Sequence, residues 1–401
     1  MIKRAMVERQ DEETMVLNLG PQHPATHGTL RLLLRLDGET IVEADPVIGY
    51  LHSGFEKLAE AMTYNQYVTV TDRMNYMSPI SNNIAFHMAV EKLLGIQTTE
   101  RCNGLRVILA ELSRIADHLI CVGTAALDAG AFTAFLWAYR ERELCYDLFE
   151  LASGARYTNS WTRVGGLMRD VPDGFVEATK EFCSTLPKRL GEFEDLLTRN
   201  PIWIRRTRGI GVMSREAAID WGWSGPIARA SGVDWDLRRD EPYLLYDRLQ
   251  FEVPIGVAGD AYERYRIRIA EMHQSLRLIE QALRDLPSGP VDVAPNVKAT
   301  LPKKGEVYAQ MEALIYHFEM IMPNRGTLMP VGEVYAANET ANGELGFFVV
   351  SDGTAKCFRV RVRPPSFINF ACFGELLKGH MVSDAVIILG SLNIIAAELD
   401  R

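Results

Sequence analysis

Leu105, Ile108, Leu112, Ile115, Leu119, Val122 and Ala126 recur at alternating spacings of three and four residues. At 3.6 residues per turn this places all seven on one continuous face, so the segment must be a long helix burying an apolar stripe. Tyr262, Tyr265, Ile269, Met272, Leu276, Ile279, Leu283 and Leu286 repeat the pattern, and Pro287 and Gly289 end it. Two long helices therefore anchor a bundle.

Further helices are expected at 82–94, at 132–152 with Gly154 beyond the end, and at 306–320 and 384–392. Another is expected at 173–197, where Pro187 should kink or split it. Strands are expected at 16–19 and 30–36, where Leu30, Leu32, Leu34 and Leu36 share a face, and the Asp37-Gly38 turn leads into 39–44. A second hairpin is expected from 345–350 and 356–362 around Ser351-Asp352-Gly353, with Phe358, Val360 and Val362 on one face. Residues 202–230, with Trp203, Trp221 and Trp223, show no clean period and read as an ordered insertion whose aromatics pack.

The expected fold is α+β, mainly a helical bundle with small β elements at both ends. Its parts are an N-terminal β layer at 1–49, the bundle with its insertion at 50–325, and a hairpin, helix and tail at 326–401. With 401 residues and 47% hydrophobic composition the chain can bury a large core. A net charge of −9 with no long cationic run argues against a nucleic-acid partner. No apolar run approaches the roughly 20 residues of a spanning helix, and Met1 to Glu8 lacks an apolar signal core. A cytoplasmic protein is expected. The six cysteines form no Cys-x-x-Cys pair and read as structural, and the Gly-rich phosphate loops are missing.

Gly20-Pro21-Gln22-His23-Pro24-Ala25-Thr26-His27-Gly28 places two of the eight histidines in a loop stiffened by two prolines. Such imidazoles are hydrogen-bonded structural groups or ligand contacts. A metal is the weaker reading, because no further ligand set lies nearby.

That loop is followed by Gly49-Tyr50-Leu51-His52-Ser53-Gly54-Phe55-Glu56-Lys57, Asp72-Arg73-Met74-Asn75-Tyr76, Glu111-Leu112-Ser113-Arg114, Tyr139-Arg140-Glu141-Arg142-Glu143 and Asp400-Arg401. In this order, over essentially the whole chain, the motifs resemble the D subunits of bacterial NADH:quinone oxidoreductase, the quinone-site subunits of respiratory complex I. That family is related to the large subunits of nickel-iron hydrogenases, whose metal is held by two Cys-x-x-Cys pairs. Laid on that pattern, the early pair falls on Asn75 and Ser78 and the late pair on Ile395 and Glu398. Nickel and iron there need soft anionic sulfur, so hydrogenase activity is rejected and no metal is expected. The emptied pocket is left for an organic ligand.

The resemblance implies that His27 and Tyr76 hydrogen-bond the two ends of a quinone headgroup and that Asp128 pairs with His27. Reduction to quinol takes two electrons and two protons, which an imidazole near pKa ~6.5 and a phenol near ~10 can supply to a developing oxyanion. An aspartate beside the imidazole favours its protonated form. His23 and His52 line the cavity or brace it, Met74 and Ile395 are apolar contacts to the ring, and Arg363 to Phe367 help form the wall. Arg73 and the run from Arg140 to Glu143 read as ion-pair scaffolding.

No cofactor is expected on this chain alone. The resemblance implies electrons from a four-iron four-sulfur cluster on the adjacent small subunit, with NADH and FMN bound elsewhere in the complex. It also implies contacts with the C subunit, a ferredoxin-like subunit and the membrane-arm subunit at the quinone channel. The assembly would be a proton-translocating NADH:quinone oxidoreductase, with this subunit peripheral on the cytoplasmic face of the bacterial inner membrane. A ferredoxin- or deazaflavin-driven complex and a non-catalytic scaffold are the alternatives. Two positions depart from the family pattern. Thr158 stands where many relatives carry a histidine near the terminal cluster, pointing to a low-potential cluster and menaquinone rather than ubiquinone, and Ser53 stands where mitochondrial relatives carry arginine.

Overall fold

In the computed structural model, which describes residues 14–26, 28–293, 299–322 and 327–401, an antiparallel sheet comes first. Its strands are β1 (Met15–Leu19), β2 (Arg31–Asp37) and β3 (Thr40–Val47), in that order. The two-residue period of β2 turns Leu32, Leu34 and Leu36 inward, where all three are buried. Gly20, ahead of β2, has φ +90°, and a Cβ there would lie 2.1 Å from the Leu30 carbonyl oxygen. Only glycine fits this approach.

Helices α1 (Phe55–Ala61), α2 (Tyr64–Thr71) and α3 (Pro79–Leu94) lead into α4 (Glu100–Asp128) and α5 (Phe132–Ser153). The Thr99 hydroxyl caps α4 by accepting from the Cys102 amide at 3.2 Å, and α5 stops at Gly154 in the left-handed region. The α4 stripe from Leu105 to Ala126 is buried along its length. After the short pair β4 (Thr162–Arg163) and β5 (Gly166–Leu167), α6 (Phe175–Leu197) runs through Pro187 without splitting. Phe182, Leu186, Leu190 and Phe193 are buried on both sides of the proline, and that packing outweighs one missing hydrogen bond.

The stretch expected to be irregular forms short helices, α7 (Pro201–Thr207), α8 (Arg215–Asp220) and α9 (Pro226–Ala230), followed by α10 (Leu237–Asp240). Asn200, Ser214 and Asp236 cap α7, α8 and α10, but helices this short show no period. Trp203 and Trp223 are buried as expected, whereas Trp221 is exposed. The second long helix is α11 (Ala261–Arg284). The helix expected at 306–320 breaks at Gln310, whose backbone is extended, into α12 (Lys304–Ala309) and α13 (Met311–Ile321). With only Ala313 buried on the pair, packing does not hold them in line.

The C-terminal sheet has the order β6 (Gly332–Thr340), β7 (Gly343–Ser351), β8 (Arg359–Arg363). The expected hairpin is β7–β8, and β6 is an additional strand. Val360 and Val362 are buried, but Phe358 precedes β8 and is exposed, so it does not share their face. Then come α14 (Pro365–Phe370), α15 (Phe373–Leu377), α16 (Val382–Leu392) and α17 (Ala396–Asp400).

Among the described residues the buried side chains group into three clusters. One joins α4, α5, α6 and α11, one lies between α2–α3 and the C-terminal sheet, and one joins the N-terminal sheet to α15 and α16. The N-terminal and C-terminal segments thus meet on one side of the bundle, where Ile41 exchanges backbone hydrogen bonds of 2.8 Å with Gly379 and His380. The fold is α+β. Among the described residues no helix is long and apolar enough to cross a membrane.

Candidate functional site

A cavity of about 240 Å³ opens where the N-terminal loop, the bundle and the C-terminal segment converge. Pro24 comes from the loop, Met77 from the turn after α2, Asp128 from the last residue of α4, Tyr139 from α5, and Asn393 and Ile395 from the connection between α16 and α17. Its walls are mainly apolar, with Asp128, Tyr139 and Asn393 as polar groups.

Asp128 and Ile395 therefore share one cavity, although 267 positions apart by their numbering. Tyr76 is half-buried beside Met77, and its ring lies 6.2 Å from that of Tyr157. Burial, and then the charges of Asp117 and Tyr139, push the Tyr76 hydroxyl above its ordinary pKa, so it stays protonated and able to donate. His27 lies outside the described residues. His23 is exposed and folds onto its own loop, its Nδ1 accepting from the Ala25 amide at 3.2 Å and its carbonyl from the Thr26 hydroxyl at 2.8 Å. Met74 is fully buried in the core cluster with Tyr67 and Phe86 and does not line the cavity.

The other motif residues brace this arrangement. The Asp400 carboxylate accepts from the amides of Gly49 and Leu51, each at 2.7 Å, and the His52 ring is 2.8 Å from the Asp400 carbonyl oxygen. The Arg401 guanidinium sits 4.2 Å from the Phe367 ring centroid. The Gly49 to Lys57 motif is thus bound to the Asp400-Arg401 pair, and His52 faces a separate groove. Arg140 pairs with Glu141 at 2.7 Å, and Glu143 is held by Arg142 and Arg156. Arg142 also lies 4.2 Å above Tyr139 and 4.8 Å from Tyr146. Arg73 is exposed.

The positions laid on the hydrogenase ligands are all buried. Asn75 Nδ2 donates to Asp117 Oδ2 at 3.1 Å, and Asn393 Nδ2 donates to Asp117 Oδ1 at 2.7 Å. Glu398 is fully buried and accepts from the Ser366 hydroxyl. Burial pushes its carboxyl up to about 7 against the Ser366 hydrogen bonds, with Asp117 adding to the rise. All six cysteines are buried free thiols.

Behind the cavity α4 also carries a buried ionic seam. Glu111 is held by Arg114 and Arg238, each at 3.2 Å, and by Ser275 and Tyr246, each at 2.6 Å. Burial opposes its ionisation, but the two guanidinium groups win and lower it to about 2. Glu271 bonds Arg229 at 2.7 Å and His118 at 2.8 Å, while burial keeps the imidazole below its usual pKa.

Sequence reasoning missed Asp117, Asn393, Tyr139 and Tyr157. The available signal was the polar set Glu111, Arg114, Asp117 and His118, spaced at helical intervals beside the apolar stripe of α4. Such a set reads as a solvated face unless the second side of the helix is known to be covered.

Comparison with known proteins adds three relationships. Residues 128–401 match the family described as respiratory-chain NADH dehydrogenase, 49 Kd subunit. A protein of Geotalea uraniireducens (strain Rf4), named as the D subunit of an NADH-quinone oxidoreductase, is 49% identical over 389 residues, covering 97% of this chain and 99% of its own. A second D subunit of the same name, from Rhizobium etli, is 48% identical over 400 residues, covering 100% of this chain and 98% of its own.

Proposed function

The chain belongs to the respiratory-chain NADH dehydrogenase 49 Kd subunit family, and from that premise we propose that the cavity beside Tyr76 receives the headgroup of a quinone for its two-electron, two-proton reduction. The carrying observation is the convergence of Asp128, Ile395 and Met77 on one cavity with the protonated Tyr76 next in sequence. At about 240 Å³ it is smaller than the roughly 300–1,000 Å³ usual for ligand pockets. It suits a single ring rather than a ring with its prenyl tail.

In this reading Tyr76 and His27 each hydrogen-bond a quinone carbonyl and pass it a proton, and Asp128 favours the charged imidazole of His27. The electrons arrive from the four-iron four-sulfur cluster of the adjacent small subunit, which draws on FMN and NADH elsewhere in the assembly. The C subunit, a ferredoxin-like subunit and the membrane-arm subunit at the quinone channel complete the surroundings. Quinone reduction drives proton translocation through the membrane arm, and this subunit is peripheral on the cytoplasmic face. The donor set Asn75, Ser78, Ile395 and Glu398 supplies no thiolate, which supports the reading against a hydrogenase.

The test is quinone reductase activity of the assembled complex carrying Tyr76→Phe or His27→Ala, with cluster reduction by NADH followed separately. Lost quinone turnover with normal assembly and cluster reduction is the expected result. Unchanged turnover in both variants favours a scaffold without a quinone.

A further inference from the structure

Asp117 is fully buried in the middle of α4, and among the described residues it makes no ion pair. Glu111, two turns earlier, is by contrast held by two arginines. The two Asp117 oxygens are taken up by side-chain amides that lie 42 and 276 residues away, those of Asn75 and Asn393. Each amide controls a different wall of the site. Asn75 Oδ1 accepts from the Met77 amide at 3.1 Å, and the Asn75 carbonyl accepts from Asn82 Nδ2 at 2.9 Å, fixing the turn with Tyr76 at its centre. Asn393 has φ 58° and ψ 53°, ends α16 and sets the direction of Ile394 and Ile395 along the cavity.

We propose that Asp117 is a positioning residue for quinone binding, clamping the turn that carries Tyr76 to the segment that carries Ile395 through one carboxylate. This rests on the quinone reading above. A carboxylate can accept from two donors at once in a fixed plane, so it sets the spacing of the two segments. The Asp117 charge also faces Tyr76, Tyr146 and Tyr157, consistent with its place at the edge of the site.

Three variants in the assembled complex test the clamp. Asp117→Asn offers one acceptor oxygen and turns an NH₂ toward a second donor, so one of the two bonds is lost. The expected result is a quinone KM raised about tenfold with a smaller fall in kcat, as for a misplaced wall. NADH oxidation with an artificial acceptor should be unchanged. Asn393→Gly keeps the left-handed backbone, deletes the other bond and should raise KM similarly. The double variant Asn75→Asp with Asp117→Asn exchanges donor and acceptor. The new carboxylate then accepts from Met77 and from the new amide, whose own oxygen accepts from Asn393, and KM should return to near the native value.

Unchanged quinone KM in assembled Asp117→Asn, or no rescue by the double variant, overturns the clamp. If Asp117→Asn does not assemble, Asn393→Gly decides, and an unchanged KM there overturns it equally. Tyr76→Phe is measured alongside. Impaired Tyr76→Phe with unaffected clamp variants overturns only the positioning role, whereas no effect in any variant overturns the quinone reading with it.

Discussion

The carboxylate of Asp400 accepts a hydrogen bond from the backbone amide of Leu51 at 2.7 Å, joining α17 to a loop near the N-terminal sheet. Its second oxygen takes the Gly49 amide at the same distance, so both acceptors are used. Asp400→Asn keeps one acceptor and faces an NH₂ against an amide. A loss of about 1–3 kcal/mol is expected from the unmet donor, read as a lower temperature of thermal inactivation, with His52 and Arg401 loosened beside it. An unchanged inactivation temperature would show that the loop is held without Asp400.

Glu398 makes stability depend on pH. Burial raises its carboxyl from 4.5 to about 7 in the folded chain, so between these values the folded state holds a proton that the unfolded state has released. Stability from this group is therefore full below pH 4.5, falls as pH rises to about 7, and is flat above, a change of about 3 kcal/mol. Glu398→Gln removes the titration. The variant should match the native protein near pH 4.5 and exceed it increasingly up to pH 7. A gap that stays constant with pH contradicts the assignment.

Glu111 behaves in the opposite sense. Its folded pKa of about 2 lies below the ordinary 4.5, so its contribution is present above pH 4.5 and is lost as pH falls toward 2. Glu111→Gln leaves the Arg114 and Arg238 guanidinium groups buried without their carboxylate. Destabilisation of about 3–5 kcal/mol is expected, measured by unfolding or by loss of assembled complex. A change under about 1 kcal/mol, the scale of an exposed pair, would contradict the buried geometry.

Thr158 cannot titrate near neutrality. If the terminal cluster of the partner subunit lies near this residue, as the family resemblance implies, its midpoint potential should be nearly independent of pH. Thr158→His should introduce a pH dependence around the imidazole pKa of ~6.5. Redox titration of the cluster across pH decides. A native slope near one proton per electron, or no change in the variant, removes Thr158 from any part in the coupling.

The sequence by itself determined the parts whose cause is local. The alternating threes and fours of α4 and α11, the two-residue period of β2 and the hairpin of β7 and β8 each follow from the repeat of their own backbone geometry. The ordered motifs carried Tyr76, Asp128 and Ile395 to a site, but resemblance rather than periodicity selected them. Tertiary structure decided the rest. Pro187 stays inside one helix because both flanks are buried, whereas the 306–320 stretch breaks at Gln310 because almost nothing covers it. Met74 went to the core rather than the cavity. Asp117 looked like one polar residue of a solvated face until α4 was enclosed and the amides of Asn75 and Asn393 arrived from distant parts of the chain. A local period records which way a side chain points along its own element, but the energy of a buried carboxylate is set by the partners that packing brings to it.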